Sequence, residues 1–345
     1  TVAAGGGSIV RFDGQRFRVG PQSAGADPGP ACYRRGGPLT VTDCNVMVGK
    51  VQARHFPHVF GPDADEALDD RGIKNRFTDL AADINPAAPP SPEDVAEGFL
   101  KIAVENMANA IKQISVQRGY DVTEYTLNCF GGAGGQHACM VADALGMESV
   151  FIHPFAGVLS AYGMGLADVR AMREHAMEIP LEKAAASVLG RTLEALETEA
   201  VDEISAQGIA PENTRVVKKA HIRYAGTDTA LSVPYDDPEA MIDAFEGLHK
   251  QRFGFVAPER GIIVEAVSAE AIGLSVTTND PEVQALPGVA GLRPRDTVRM
   301  YSDGKWLKTP VYDREALLPG DRIDGPAIII EANATTVVEP GWRAE

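Results

Sequence analysis

The sequence predicts an α/β fold that is centred on a glycine-rich turn between a strand and a helix. The apolar run YTLNCF, residues 125–130, is typical of a buried strand. After the turn, QHACMVADALGM predicts a helix that ends near Gly146, and ESVFIHP predicts a second strand. A long helical pattern before this unit and a series of short strands from about residue 290 complete the prediction.

The composition limits the classes of partner. The chain has 345 residues, which suggests about two domains, and its 44% hydrophobic content is ample for buried cores. It carries 32 basic and 48 acidic residues, a net charge of −16. Because binding to a nucleic-acid backbone or an anionic membrane normally needs a basic face, we expect neither partner. No apolar run is long enough to predict a transmembrane helix, and no signal peptide is visible.

The cysteines indicate a reducing compartment. Cys32, Cys44, Cys129 and Cys139 form no CxxC pattern and are too few for a disulfide scaffold in a chain of this size. We therefore expect reduced thiols and a cytoplasmic location. Cys129 and Cys139 flank the glycine turn, where a buried structural role is favoured over a nucleophilic one.

The N-terminal residues predict a glycine segment at the edge of folded structure. Gly5, Gly6 and Gly7 have apolar residues on both sides, which argues against a flexible linker. Asp13-Gly14 between alternating apolar residues predicts a β-hairpin. The glycines are therefore expected where the backbone passes close to another group.

Residues 19–37 are rich in glycine, proline and alanine and predict a long loop. Long ordered loops in compact domains are often functional, so Ser23, Asp27 and Tyr33 are candidate residues of a site. A purely structural surface loop is an equally good interpretation.

The next segment, residues 40–51, predicts a short helix with Thr42 as its N-cap and Asp43 in its first turn. Asp43 is a candidate catalytic carboxylate, and a capping role is the alternative. The HxxH pair His55 and His58 has no second ligand pair at suitable spacing, so we predict no metal site.

Residues 63–92 are acidic and then proline-rich, which predicts a surface connection. A long helix follows, with Ser91 as N-cap, Pro92 at its first position and Gly119 at its end. Its apolar face repeats at helical spacing through Val95, Phe99, Ile102, Ala103, Ala110, Ile111 and Ile114.

The second half of the chain alternates strands and helices. Residues 192–207 and 238–253 predict helices, and VVKKAHIRYAG with TALSVPY predicts a hairpin. IIVEAVSAEAIGLSV predicts a long strand, and residues 279–296 predict a linker. The remaining short strands predict a small β-rich module.

The glycine turn, FGGAGGQHAC, has two interpretations from its residues alone. Glycines allow close approach of a ligand, and the N–H groups at a helix start favour an anion or a polar base edge. The turn matches neither a Walker A loop nor GxGxxG. A tight turn that packs a helix on a sheet is equally compatible with the pattern.

The segments TVAAGGGSI, VGPQSAGADPGPACYRRGGPLTVTD, ARHFPHVFGPDADEALD, CFGGAGGQHAC and RYAGTDTAL together resemble the hydantoinase/oxoprolinase family, and fit its 5-oxoprolinase branch best. The resemblance implies the second half of an actin/sugar kinase/Hsp70-like (ribonuclease H-like) ATPase fold in residues 1–170. It implies an α+β, strand-rich C-terminal domain in residues 171–345. The family's two DxGGT-type phosphate loops precede this part and do not occur here, so we expect a fragment.

The resemblance also assigns roles to residues. It places Gly131, Gly132, Ala133, Gly134, Gly135 and Gln136 at the adenosine-contacting turn, with Gly5, Gly6 and Gly7 near the nucleotide or packed beside it. The implied cofactors are ATP and Mg²⁺. The implied reaction is the hydrolysis of 5-oxo-L-proline to L-glutamate through a phosphorylated lactam. The implied partner is a hydantoinase B-like half, fused or separate, and a homo-oligomer is an open alternative.

Three alternatives remain at this point. Within the family, the chain is compatible with an N-methylhydantoinase A subunit or an acetone carboxylase β subunit. From a different class, it is compatible with a non-catalytic scaffold module of a larger complex. Since the phosphate loops are missing, we expect the isolated chain to be inactive.

Overall fold

The computed structural model describes residues 5–117, 119–274 and 292–345. By its internal contacts the chain divides into two compact units, residues 1–162 with 281–345, and residues 163–280. The predicted linker over residues 279–296 lies outside the described residues as far as residue 291. Among the helices of the described ranges, none has the length and apolar character needed to span a membrane.

The elements follow one another along the chain in three groups. The first group is β1 (Ser8–Phe12), β2 (Phe17–Ser23), α1 (Val41–Met47), α2 (Asp70–Ile84), α3 (Pro92–Gln117), β3 (Leu127–Cys129), α4 (Ala138–Leu145), β4 (Val150–Ile152) and α5 (Leu159–Leu166). The second group is β5 (Val169–Pro180), α6 (Ala186–Ala206), β6 (Thr214–Tyr224), β7 (Leu231–Pro234), α7 (Pro238–Phe253) and β8 (Ile262–Gly273). The third group is β9 (Asp296–Ser302), β10 (Lys305–Asp313), β11 (Ile323–Asp324), β12 (Ala327–Ile330), β13 (Thr335–Val338) and β14 (Arg343–Ala344).

The predicted N-terminal hairpin is confirmed. Strands β1 and β2 pair antiparallel, with Phe12 opposite Phe17. Asp13 stabilises the turn because its Oδ1 accepts hydrogen bonds from the backbone N–H groups of Gln15 (3.1 Å) and Arg16 (3.0 Å). This side-chain bonding to the following backbone is the reason that Asp favours turns.

The long helix α3 forms the centre of the main core of the first unit. Ser91 accepts a hydrogen bond from the Asp94 N–H at 3.0 Å, which confirms the predicted N-cap. Phe99 is fully buried, and its ring stacks on the Phe17 ring with centroids 4.5 Å apart. Gly98 allows this contact, since a Cβ there would lie 2.8 Å from the Phe17 ring.

Helix α2 corrects the prediction that residues 63–92 are only a surface connection. Ile73, Phe77 and Ala81 are buried in the same core as α3, at helical spacing. Asp69 is the N-cap, and its Oδ1 accepts from the Gly72 N–H at 2.9 Å. The sequence prediction failed because the polar and acidic residues of the exposed face outnumber the few apolar residues of the buried face.

The strand–turn–helix–strand unit has the predicted order. Strands β3 and β4 pair in parallel, with Leu127 opposite Val150. Helix α4 connects them and ends at Gly146, which adopts the left-handed conformation at φ +70°. A left-handed glycine is a common helix stop because it has no Cβ to clash.

The strand-rich module belongs to the first unit. Strands β9, β10, β12 and β13 form a four-stranded sheet in the order β13-β12-β10-β9, in which only the β10–β12 pairing is parallel. The backbone N–H of Tyr301 donates to the Val48 carbonyl at 2.7 Å, and its hydroxyl donates to Asp94 at 2.6 Å. The sequence placed this module at the end of a domain spanning residues 171–345, whereas these contacts unite it with the N-terminal residues.

The second unit is an antiparallel sheet with two helices. Its strand order is β5-β8-β6-β7, and the predicted β6–β7 hairpin is confirmed. The predicted α7 is also confirmed, with Asp237 as its N-cap. Helix α6 begins at Ala186, earlier than the predicted residue 192. Leu189 explains the longer helix because it is fully buried and precedes the predicted start.

We expect Phe99→Ala to lower the free energy of unfolding by about 3–5 kcal/mol, because it removes a fully buried ring that the surrounding helices cannot replace. Urea denaturation followed by circular dichroism measures the change. Ile114→Ala is the matched control on α3, since Ile114 is 58% exposed. An equal loss in both variants would contradict this account of the core.

Candidate functional site

The glycine turn follows β3 directly. Gly131 has φ +91°, a left-handed conformation that favours glycine, and its N–H donates to the Ala156 carbonyl at 2.8 Å. The Gly134 N–H donates back to the Gly131 carbonyl at 3.1 Å. A single 3₁₀ turn, Gly134–Gln136, then leads into α4. The turn is therefore ordered by its own backbone and by the segment after β4.

Two of the glycines are required by close packing against the turn between β12 and β13 and against the start of β13. A Cβ added to Gly135 would lie 2.7 Å from the Thr336 Oγ1 and 2.8 Å from the Thr335 carbonyl oxygen. A Cβ on Gly132 would lie 2.7 Å from the Asn333 carbonyl oxygen. These distances leave no room for any side chain. The packing interpretation from the sequence therefore accounts for Gly132 and Gly135.

Of the three N-terminal glycines, Gly6 lies against the glycine turn. A Cβ on Gly6 would lie 2.6 Å from the Thr42 Oγ1 and 3.4 Å from the Ala133 Cβ. The Gly6 carbonyl also accepts from the Thr42 N–H at 2.9 Å. A Cβ on Gly7 would lie 3.0 Å from the Ser23 Oγ, whereas Gly5 has no neighbour within 4 Å. Gly6 thus joins the two glycine segments that the sequence singled out.

A cleft of about 280 Å³ opens beside the glycine turn. Gly132, Ala133 and Gln136 form one wall of the cleft, and Tyr33, Phe56 and Phe60 form an aromatic wall. In the aromatic wall the Tyr33 and Phe60 rings lie 4.6 Å apart. The remaining lining residues are Thr42, Val51, His55, Phe56, Pro57, Ile330, Glu331, Ala332, Asn333, Ala334 and Thr335.

A buried amide pair fixes the side chain of Gln136. Its Oε1 accepts from the Asn45 Nδ2 at 2.7 Å, and both residues are buried. Among the described residues no group accepts from the Gln136 Nε2, so this donor is free for a ligand in the cleft. Amide orientation follows from such hydrogen bonds, and here Asn45 determines it.

His137 lies beside this pair but is not suited to acid–base work near neutral pH. Burial, with the positive charge of Lys50 as a second cause, lowers the pKa of His137 to about 3. Its Nε2 lies 3.3 Å from the Asn45 Nδ2. Its Nδ1 and the Asn45 Oδ1 are buried without a partner in the described part of the chain. The imidazole is therefore neutral and acts as a packed polar group.

A buried ion pair joins the loop after α1 to the residue that follows β13. The Lys50 Nζ lies 2.5 Å from the Glu339 Oε1, and both side chains are almost fully buried. The Lys50 Nζ also contacts the Met140 sulfur of α4 at 3.1 Å. Removing one member of such a pair would leave an uncompensated charge, so the pair constrains all three segments.

Glu331 presents a carboxyl group to the cleft. Burial raises the pKa of Glu331 above its ordinary value, and Arg314 opposes this increase. Its Oε1 is buried and has no hydrogen-bond partner within the described ranges. The cleft thus combines a carboxylate acceptor with the Gln136 amide donor.

Asp43, the candidate catalytic residue, lies outside the residues that line this cleft and is fully buried. Its carboxylate accepts from the N–H groups of Thr40 (2.7 Å), Ala31 (3.1 Å) and Cys32 (2.7 Å) and from the Thr40 hydroxyl (2.9 Å). The N-cap of α1 is Thr40, which corrects the predicted Thr42. This arrangement favours the capping role of Asp43 over the catalytic one.

The cysteines are buried and unreactive in character. All four are free thiols in the structure. Burial raises the pKa of Cys129 and of Cys139 to about 11, so both are neutral at physiological pH. This environment fits the structural role predicted for the pair that flanks the turn.

Of the loop candidates, only Tyr33 lines the cleft. Ser23 instead accepts from the Gly25 N–H at 3.2 Å, and Asp27 is exposed. Sequence reasoning did not identify Asn45, Phe56, Phe60, Glu331 or Asn333. The ANAT turn, residues 332–335, was visible only as a break between two strands, and nothing local linked it to the glycine turn.

The fold and the site together define a class: an α/β protein whose glycine turn is closed by a strand-rich module. Two family models match the chain, hydantoinase/oxoprolinase over residues 1–173 and the hydantoinase/oxoprolinase C-terminal domain over residues 179–345. The chain belongs to the hydantoinase/oxoprolinase family.

Three similar proteins illustrate the relationship. The chain is 38% identical to 5-oxoprolinase 1 from Arabidopsis thaliana, over 100% of the chain and 28% of that protein. Its structure resembles nucleotide-free acetone carboxylase with a TM-score of 0.81 at 23% identity, over 98% of this chain and 50% of that one. It also resembles the ATP-dependent caprolactamase from Pseudomonas jessenii, with a TM-score of 0.72 at 28% identity and the same coverage.

These likenesses confirm the predicted fold class, an α/β ATPase-type fold with a strand-rich C-terminal part. The chain spans less than a third of the length of the 5-oxoprolinases that it matches.

We expect Asp43→Asn to lower the free energy of unfolding by about 1–3 kcal/mol, because the new amide cannot accept from all four donors. Thermal melting and turnover of the full-length protein are both measured. Asp70→Asn is the control, an exposed carboxylate in the first turn of α2. Lost turnover with unchanged melting in Asp43→Asn would instead favour the catalytic role.

We expect Gly135→Ala to destabilise the first unit by about 1–3 kcal/mol, because the added methyl group meets backbone atoms that cannot move aside. Gly247→Ala is the control, a helical glycine of α7 with no neighbour within 4 Å, and should melt no lower than the parent. Chemical denaturation of the two variants gives the comparison. Equal stability of Gly135→Ala and the parent would refute the packing account.

Proposed function

We propose that the chain is part of an ATP-dependent cyclic amide hydrolase that converts 5-oxo-L-proline to L-glutamate. The observation that carries the proposal is the cleft beside FGGAGGQ, in a chain similar along its entire length to a protein named 5-oxoprolinase. The reaction requires activation of the lactam carbonyl, because a planar amide is a poor electrophile. ATP supplies that activation in the proposed reaction.

In the proposed site, the cleft holds the nucleoside end of ATP. The Tyr33, Phe56 and Phe60 wall offers an apolar surface for a planar base, and the glycine turn offers close backbone approach. The free Gln136 Nε2 donates to a ring nitrogen or to the ribose, and Glu331 accepts from an amino group. Gly6 packs against Ala133 of the turn, and Gly5 and Gly7 are proposed to lie near the nucleotide.

The remaining parts of the reaction are assigned to the longer protein. Phosphate-binding loops and Mg²⁺ are proposed to come from segments outside this chain, and a hydantoinase B-like half is the proposed partner. The proposed location is the cytoplasm, and a homo-oligomer is compatible with the proposal. The role of this chain's own residues is to bind and orient the nucleotide.

Other members of the same class are the first alternative. Caprolactam is also a cyclic amide, and the likeness to caprolactamase favours a lactam substrate in general. The likeness to acetone carboxylase carries only the fold, because the identity is 23%. N-methylhydantoin and acetone are kept as alternative substrates because the family resemblance includes enzymes that act on them.

A scaffold role is the second alternative, from a different class. It is favoured by Gly132 and Gly135, which are needed for packing whether or not a ligand binds. In this proposal, the chain holds the strand-rich module for a catalytic partner. In either case we expect no ATP hydrolysis by the isolated chain.

We expect the full-length protein to release ADP and L-glutamate in equal amounts when it is given ATP and 5-oxo-L-proline. Parallel assays with N-methylhydantoin, with caprolactam, and with acetone plus bicarbonate identify the preferred substrate. ADP release with another substrate alone would select that alternative. If none of the four substrates caused ADP release, the result would favour the scaffold role.

We expect Ala133→Asp to raise the KM for ATP at least about tenfold, because the new carboxylate repels a polyanion in the cleft. Steady-state kinetics at saturating lactam measure the effect. Ala88→Asp introduces the same charge at an exposed loop and should leave the KM unchanged. An unchanged KM in Ala133→Asp would show that ATP binds elsewhere.

A further inference from the structure

A second concavity, of about 520 Å³, lies in the first unit between the loop after α1 and the outer face of β9 and β10. It shares no lining residue with the cleft at the glycine turn. Its polar and aromatic lining consists of Gln52, Arg54, Thr297, Arg299, Trp306 and Lys308. Three cationic side chains thus line one groove of a chain whose net charge is −16.

The two cations on the sheet face each other across the strands. Arg299 and Lys308 are directly opposite in the antiparallel β9–β10 register, and both are exposed. Like charges at opposite positions destabilise a strand pair. Within the described ranges neither has a carboxylate partner within 4.0 Å. An anion bound between them would remove this repulsion.

The third cation is already neutralised. The Arg54 guanidinium lies 2.5 Å from the Asp296 carboxylate, which also lies 2.9 Å from the His55 Nε2. The uncompensated charge of the groove is therefore that of Arg299 and Lys308. Two positive charges at neighbouring positions are matched by one dianion better than by a single carboxylate.

The groove is preorganised. The Arg299 guanidinium lies over the Trp306 ring, 5.1 Å from its centroid, and Trp306 makes an edge contact with Tyr301 at 5.5 Å. A Cβ on Gly49 would lie 2.5 Å from the Arg299 carbonyl oxygen and 3.4 Å from Trp306. This close packing of Gly49 against β9 and Trp306 fixes the position of the strand that carries Arg299. An arginine held flat by a ring loses little freedom when its fork binds an oxyanion.

We propose that this groove binds a small oxyanion of the phosphate class that carries at least two negative charges. The Arg299 guanidinium donates hydrogen bonds to two oxygens of the anion, and the Lys308 ammonium donates to a third oxygen from the adjacent strand. Thr297 and Gln52 offer neutral hydrogen-bonding groups at the edge. The site is separate from the proposed nucleotide cleft and does not depend on it.

The test is a calorimetric titration of the full chain with inorganic pyrophosphate, and with sodium glutamate in a second arm. The expected result is saturable binding of pyrophosphate and much weaker binding of glutamate. Arg299→Gln and Lys308→Gln should each weaken pyrophosphate binding about tenfold, the factor that corresponds to 1.4 kcal/mol. The matched control is Lys305→Gln, which removes the same charge from the same strand outside the groove, and it should leave the affinity unchanged.

Two further measurements make the outcome decisive. Without ligand, Lys308→Gln should melt no lower than the parent, since it relieves a like-charge contact; this separates lost binding from lost folding. Ala133→Asp should retain pyrophosphate binding at the groove even where it raises the KM for ATP. The proposal would be overturned if pyrophosphate did not bind or if glutamate bound more tightly. It would also be overturned if Lys305→Gln weakened pyrophosphate binding as much as the groove variants, or if Ala133→Asp alone abolished that binding.

Discussion

The close approach of the glycine turn to the turn between β12 and β13 is the constraint on which the site depends. Gly132 and Gly135 let backbone from residues 333–336 lie where any side chain would clash. This contact joins segments about 200 residues apart in the chain. It also forms the cleft, because the same turn supplies Glu331 and Asn333 to its lining. The glycines therefore determine which parts of the protein meet.

Buried polar pairs hold this arrangement in one geometry. Lys50 and Glu339 lose their hydration, and their mutual attraction, together with the Lys50 contact to Met140, offsets that loss. The Asn45 Nδ2 donates to the Gln136 Oε1, and this bond satisfies these two atoms where water is excluded. Each pair links the region around α1 to a distant segment. Displacement of either segment would expose an unpaired buried group, so the walls of the cleft are fixed rather than adaptable.

Local signals predicted the elements that carry them. The Asp13-Gly14 hairpin, the Ser91 cap of α3 and the Gly146 stop of α4 all act within a few residues, so the sequence displays them directly. Helix α2 was missed because its buried face is narrow and lies in an acidic segment. Asp43 looked like a free carboxylate because two of its partners, the N–H groups of Ala31 and Cys32, belong to a loop that precedes it.

By itself, the sequence determined the α/β class, the glycine turn and the family likeness, since these rest on short-range patterns and on long motifs. Only the tertiary structure decided that the strand-rich module joins the N-terminal residues, and that Gly132 and Gly135 serve packing. The physical reason is that a glycine has the same letter whether it makes room for a ligand or for another strand. The difference lies in which atoms stand within 3 Å of the missing Cβ, and those atoms come from the far end of the chain.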